Sequence, residues 1–185
     1  MSIYISKKKV NPQLFPSFCG ISVKDFITKR GCDSLFANCN ATTIDSIISY
    51  NDTASVTTMV RMFDSSKIQT IPLLNTNNVT DMSYMFNNCA NLQSIPAMDV
   101  SNVTSLDHFV GVCRNVTAIH IKNIKVDLDI SNCNKMEKEA IVEILNNLGT
   151  VTGKTLTLGP ILIEKITDAD KKIATDKGWT LKFDF

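Results

Sequence analysis

One nine-residue phrase recurs along this chain of 185 residues and limits what it can fold into. Ser55-Val-Thr-Thr-Met-Val-Arg-Met-Phe63 returns as Asn78-Val-Thr-Asp-Met-Ser-Tyr-Met-Phe86 and as Asn102-Val-Thr-Ser-Leu-Asp-His-Phe-Val110, at offsets of 23 and 24. A second phrase follows each copy: Ile68-Gln-Thr-Ile-Pro72, Leu92-Gln-Ser-Ile-Pro96 and Val116-Thr-Ala-Ile-His120, at 24 and 24. The one missing residue falls in the turn between the two phrases. A fixed period of this length is the mark of a stacked-repeat architecture, in which no unit buries its apolar face alone.

The two halves of each repeat have different periodicities. In the first, apolar residues fall at i, i+3, i+6 and i+7: Val56, Met59, Met62 and Phe63, then Val79, Met82, Met85 and Phe86, then Val103, Leu106, Phe109 and Val110. That spacing predicts one face of a short helix, with Ser55, Asn78 and Asn102 as N-caps. The second half predicts one short strand per repeat in a parallel ladder. Ser34–Cys39 reads as a degenerate first copy, with Ile44 and Ile47 supplying its strand. The expected fold is α/β: a short leucine-rich-repeat-like solenoid of about three to four repeats of 23–24 residues with an α/β C-terminal cap. The expected divisions are an N-terminal extension over 1–30, the repeat solenoid over 31–124 and the cap over 125–185.

Past the repeats the pattern changes. Val126–Ile130 alternates as a strand, Lys135–Leu148 carries a helical apolar face that closes at Gly149, and Lys154–Leu158 reads as another strand. Thr167-Asp-Ala-Asp170 has the form of a capping box opening a helix that stops at Gly178, before a last strand over Trp179–Phe183. Residues 1–30 show no repeat, and Pro12 and Pro16 favour an irregular lead-in.

The segment Asn78–Cys89, with Asn91-Leu-Gln-Ser-Ile95 and Asp99-Val-Ser-Asn-Val-Thr104 behind it, resembles the BspA-like class of leucine-rich repeat. The resemblance covers about residues 55–121, with a weaker echo from residue 34. The tail, Glu137–Leu148 through Ile166–Leu181, is similar to C-terminal caps on BspA-like proteins of gut bacteria and their phages. Cellular members act as adhesins and phage members as virion components, so the resemblance implies binding and not turnover.

Charge and motifs narrow the functional classes. The formal net charge is +1, so no global field draws the chain to nucleic acid or to an anionic membrane. Residues 1–30 nonetheless hold six basic residues and one acid. Lys7, Lys8 and Lys9, with Leu14 and Phe15, are candidate anchor residues for another protein. No apolar run is long enough to span a bilayer, and the N-terminus has its charges in the wrong order for a secretion signal. The cysteines at 19, 32, 39, 89, 113 and 133 include no C-x-x-C pair; Cys39, Cys89 and Cys113 share one repeat position and read as buried small hydrophobes. His108 and His120 are the only histidines and lack a nucleophile signature beside them. Of the sequons at Asn78, Asn102 and Asn115, the first two fall at the expected helix-cap positions, and capping explains them better than glycosylation.

The strand face is the candidate partner-binding surface. If Leu92, Ile95 and Ala97 point inward, then Ser94, Pro96 and Met98 face out, with Thr70, Pro72 and Leu74 before them and Ala118, His120 and Lys122 after. The expected function is that of a non-enzymatic phage virion structural protein, a capsid, tail or fibre component acting by protein–protein binding. The alternative is an adhesin-type module for a host-surface ligand on the bacterial cell surface. No cofactor or metal, no nucleic acid and no membrane insertion are expected. The expected partners are other virion proteins, met through the N-terminal extension, and the chain is expected to form part of a larger assembly.

Overall fold

The first half of each repeat folds as a run of tight turns and not as a helix. In the computed structural model, which describes residues 3–5, 8–10, 27, 31–45 and 47–183, the amides of this half alternate in their use. Met62, Asp64 and Ser66 donate three residues back, to Met59, Arg61 and Phe63. Met59, Arg61, Phe63 and Ser65 donate across to Asp81, Ser83, Met85 and Asn87 of the next repeat, at 2.9–3.0 Å. Met82, Tyr84 and Phe86 do the same to Ser105, Asp107 and Phe109. The earlier copy joins in through Ser34, Phe36 and Asn38, which donate to Val60, Met62 and Asp64. Every second amide is thus committed to a neighbouring repeat, which excludes the i→i−4 ladder that a helix requires.

This geometry forces left-handed backbone at non-glycine residues. Ser34, Arg61, Tyr84 and His108 have φ of 49–58° and occupy one position of the repeat; Asn38, Ser65 and Asn88 occupy a second, at 55–58°. Such a conformation costs about 1–2 kcal/mol for an L-residue. The cross-repeat hydrogen bonds and the burial beneath them offset it. Val56, Met59, Met62 and Phe63 are all buried, as are their equivalents in the next two copies. The phenylalanines form a column: Phe36 and Phe63 stack at 5.5 Å, Phe63 and Phe86 at 5.3 Å, and Phe86 meets Phe109 edge-on at 5.2 Å.

The second half of the repeat gives less regular structure than a strand ladder. Only β3 (Ser94–Asp99) and β4 (Ala118–Lys122) pair, in parallel. The corresponding residues before them, 68–74, form no strand. Pro72 and Pro96 are the cause: both lack an amide proton, so two neighbouring rungs each lose a donor at the same point. Gln93 still donates to Gln69. Further on, the buried Thr76 hydroxyl replaces the ladder, donating to the Asp99 carbonyl at 2.8 Å and accepting from the Asp99 amide at 3.1 Å.

The expected fold class is therefore corrected. A leucine-rich-repeat-like solenoid with one helix and one strand per repeat is not formed. The described residues hold few helices and two small parallel sheets that do not close into such a structure. The capping role expected of Ser55, Asn78 and Asn102 goes with the helices. The amides of Asn78, Asn102 and Asn115 instead tie to the carbonyls of Ala54, Asn77 and Ala90, about one repeat back.

In the N-terminal stretch, β1 (Ile3–Ile5) pairs antiparallel with β2 (Lys8–Val10), where an irregular lead-in was expected. The anchor residues Lys7, Leu14 and Phe15 lie outside the described residues; Lys8 and Lys9 lie on β2.

The C-terminal part forms the second parallel sheet, in the order β5 (Leu128–Asp129), β6 (Lys154–Thr157), β7 (Trp179–Lys182). Helix α1 (Lys138–Asn147) joins β5 to β6; α2 (Pro160–Ile163) and α3 (Asp168–Asp176) join β6 to β7. Alternating Leu128, Leu156 and Leu181 face the core, which is a single apolar cluster reaching from Cys32 to Trp179. Helix α1 buries Ile141, Ile144 and Leu145 and packs beside β4. Lys177 Nζ holds its last turn by donating to the carbonyls of Leu145 and Asn146, where a cation also suits the helix dipole. The capping box expected at Thr167 and Asp170 opens α3. Gly178 is required where it stands: its φ is +84°, and a Cβ there would lie 2.0 Å from the Val151 carbonyl.

Candidate binding face

Along β3 the alternation of side chains breaks at Pro96. Ile95 pairs with Ile119, but Met98 pairs with Ile121, so β3 carries one extra residue between these points. A bulge of one residue exchanges the two faces downstream of it. Met98 is accordingly buried, at 2% exposure, and Ala97 is exposed. The same reversal occurs one repeat earlier: Leu74 is 2% exposed and Leu73 is 55% exposed. The outward placement expected for Leu74 and Met98 is corrected on these grounds; both belong to the core.

The rest of the candidate face divides by exposure. Thr70, His120 and Lys122 are exposed, and Pro72, Ser94 and Pro96 are half-buried. Tyr50, Leu73 and Ala97 lie three residues before Thr53, Thr76 and Val100, which are equivalent buried positions, so the three exposed side chains form one column across the repeats. Tyr50 is 47% exposed and sits on a short 3-10 helix, Tyr50–Thr53. Polar pairs border the apolar column. His120 Nδ1 lies 2.8 Å from Glu143 on α1, and Lys122 lies 3.6 Å from Asp99. Partial burial works to raise the Asp99 carboxyl, but hydrogen bonds from Asn123 and Ser101 and the nearby Lys122 charge outweigh it and hold the group below the usual range.

The turn side carries a second column that the sequence reading missed. Arg61, Tyr84 and His108 occupy the same left-handed position, which throws their side chains outward together. The Arg61 guanidinium lies 4.5 Å over the Tyr84 ring, and His108 stacks on that ring at 4.7 Å. Asp64 and Asp107 hold the two ends, at 2.9 Å from Arg61 and 2.7 Å from His108. The only sequence signal was position: each follows Met59, Met82 or Leu106 by two residues.

Beneath these surfaces the thiols are built into the repeat. Cys89 and Cys113 donate to the carbonyls of Phe63 and Phe86, at 3.0 and 2.9 Å. Burial pushes Cys32 and Cys133 up to about 12 and Cys39 up to about 11. The hydrogen bond with Cys89, then burial, drives Cys113 upward as well. Among the described residues no group of three or more His, Cys, Asp or Glu side chains is placed to hold a metal ion. No helix among them is long and apolar enough to cross a membrane.

Residues 30–142 match the family model described as Mycoplasma protein of unknown function, DUF285. The chain belongs to that family. The DUF285 region takes in all four turn segments, β3, β4 and β5, and it ends inside α1. Both exposed columns lie within it, whereas β6, β7 and α3 lie beyond it. No curated protein and no solved structure matches the chain.

Proposed function

We propose that this chain is a non-enzymatic, BspA-like protein-binding module that serves as a structural component of a phage virion. The observation that carries the binding role is the Tyr50–Leu73–Ala97 column, an apolar strip on a surface whose flanks are polar. Apolar side chains aligned in this way, with polar rims, suit contact with another protein. The occupant is a neighbouring protein of the same assembly, and the basic segment over residues 1–30 docks on a second one. The virion setting rests on the likeness of the tail to caps in phage proteins.

Membership of the DUF285 family favours a second setting, because such domains occur in BspA-like surface proteins. The same face would then meet a host-surface ligand, as in an adhesin. Mass-spectrometric peptide mapping of purified particles and of washed cell envelopes separates the two. Recovery of the chain in particles at a fixed ratio to the other virion proteins supports the structural role. Recovery in envelopes alone transfers the function to surface recognition. In either fraction, Leu73→Asp should abolish partner binding while the variant remains folded; retained binding would sink the proposed face.

A further inference from the structure

The three strands of the C-terminal sheet end in a polar cleft of about 530 Å³. Asp129, Thr157 and Lys182 stand in register at the carboxyl ends of β5, β6 and β7. Neighbouring strands lie about 4.8 Å apart, so these side chains form a row roughly 10 Å long on the face opposite Leu128, Leu156 and Leu181. The loop after β5 adds Ser131, Asn132 and Asn134 to the same wall. The carboxyl ends of parallel strands are where open α/β sheets place their ligands.

These groups are notable for making few bonds within the chain. One oxygen of Asp129 accepts from the Ser131 amide at 2.8 Å; the other has no partner among the described residues. The side chains of Ser131, Asn132, Asn134, Thr157 and Lys182 make no hydrogen bond or ion pair with another described residue. Elsewhere the chain uses such groups internally: Asn78, Asn87, Asn88, Asn102, Asn115 and Asn123 all donate to a neighbouring repeat.

We infer that this cleft binds a neutral saccharide ring. Among the described residues that line it, one carboxylate and one ammonium cancel, so the cleft rejects neither sign strongly and favours neither an anion nor a cation. Its remaining polar side chains are hydroxyls and carboxamides, each able both to donate and to accept. Adjacent sugar hydroxyls have the same dual character: they donate to Asp129, accept from Lys182 and do both with Asn132 and Asn134. Pro160 and the exposed Ile161 border the cleft and supply an apolar patch for the C–H face of the ring. The site is separate from the protein-binding face and does not depend on it.

Titration of the isotopically labelled full chain by two-dimensional NMR tests this, with glucose, galactose, mannose and N-acetylglucosamine as probes and diglycine and inorganic phosphate as comparisons. At least one sugar should shift the amides of Asp129, Ser131, Asn132, Thr157 and Lys182 saturably, in the millimolar range suited to one ring in an open cleft. Asp129→Asn and Asn132→Ala should each weaken it by about fivefold or more, with amides in the repeats unmoved as proof of folding. Three results would overturn the inference: no saturable shift with any sugar, sugar binding that the two variants leave intact, or preferential binding of diglycine or phosphate.

Discussion

Replacing Phe86 by alanine probes how far the repeat stack behaves as one body. The ring is fully buried, stacked on Phe63 at 5.3 Å with an interplanar angle of 6°, and met edge-on by Phe109 at 5.2 Å. Truncating a buried aromatic costs about 3–5 kcal/mol. Each ring pair adds about 0.5–1.5 kcal/mol beyond its area, so two partners place Phe86→Ala near the upper end, at about 5 kcal/mol. Leucine keeps most of the volume and loses both ring contacts, which sets Phe86→Leu near 2 kcal/mol. The entropy of unfolding for this length is about 0.4 kcal/mol/K, so the alanine variant should melt about 12 °C lower. The fluorescence of Trp179, the only tryptophan, reads the C-terminal end of the apolar cluster, and pulse-labelling hydrogen exchange of peptides spanning 57–90 reads the repeats. The two signals should shift together in urea and in thermal melts. A fall below about 4 °C would refute the packing argument. A shift in the repeat peptides alone would refute the continuity of the core.

Four further outcomes follow from the same geometry. Leu73→Asp should leave the melting temperature within about 2 °C, whereas Leu74→Asp buries a charge and should cost about 4 kcal/mol or more, or prevent folding; equal effects would contradict the register shift. Asp170 is held down to about 2, by Lys138 first and then by the Thr167 amide and hydroxyl. A carboxyl depressed in the folded state stabilises above its unfolded value of about 3.9. Its contribution is therefore full at neutral pH and is lost as the pH falls from about 4 through 2. Asp170→Asn should flatten the melting curve in that window, and an unchanged acid profile would remove the Lys138 link between α1 and α3. Iodoacetamide at pH 8 should leave Cys32, Cys39 and Cys133 unmodified in the folded chain and label all three after denaturation, read by peptide mass spectrometry, because thiols raised to about 11–12 hold almost no thiolate. Asn102→Ala should cost about 1 kcal/mol by urea unfolding through loss of its bond to the Asn77 carbonyl.

What the sequence disclosed was the set of columns, and what it concealed was the backbone that joins them. Val56, Met59, Met62 and Phe63 and their equivalents were legible as buried because apolar spacing reports which residues share a side. A spacing of i, i+3, i+6 and i+7 suits one face of a short helix and also a chain of turns closed three residues back. The choice between them was made by the neighbouring repeat, whose carbonyls capture every second amide. A helix of nine residues is marginal by itself and cannot compete with those bonds. The helices and strands past residue 125 were legible to within a few residues, since their periodicity is long and their ends carry Thr167, Gly149 and Gly178. Helix α2, only four residues long, left no periodic trace.

The candidate face shows how a single residue alters such a reading. Strict alternation along 94–98 puts Met98 outside, but Pro96 cannot donate to its neighbour, and the extra residue beside it turns Met98 inward and Ala97 outward. Proline at the same place in the preceding repeat produces the exposed Leu73 and the buried Leu74. Pro72 and Pro96 thereby do two things at once: they shorten the sheet and they bring an apolar column to the surface where a regular strand would have buried it. The polar cleft was beyond any such reading, because Asp129, Thr157 and Lys182 meet only through the register of β5, β6 and β7. The repeats use their asparagines to fix their own spacing, and the loop after β5 leaves the side chains of Asn132 and Asn134 without a partner among the described residues. Within one chain, the first pattern makes a scaffold and the second leaves hydrogen-bonding capacity for a ligand.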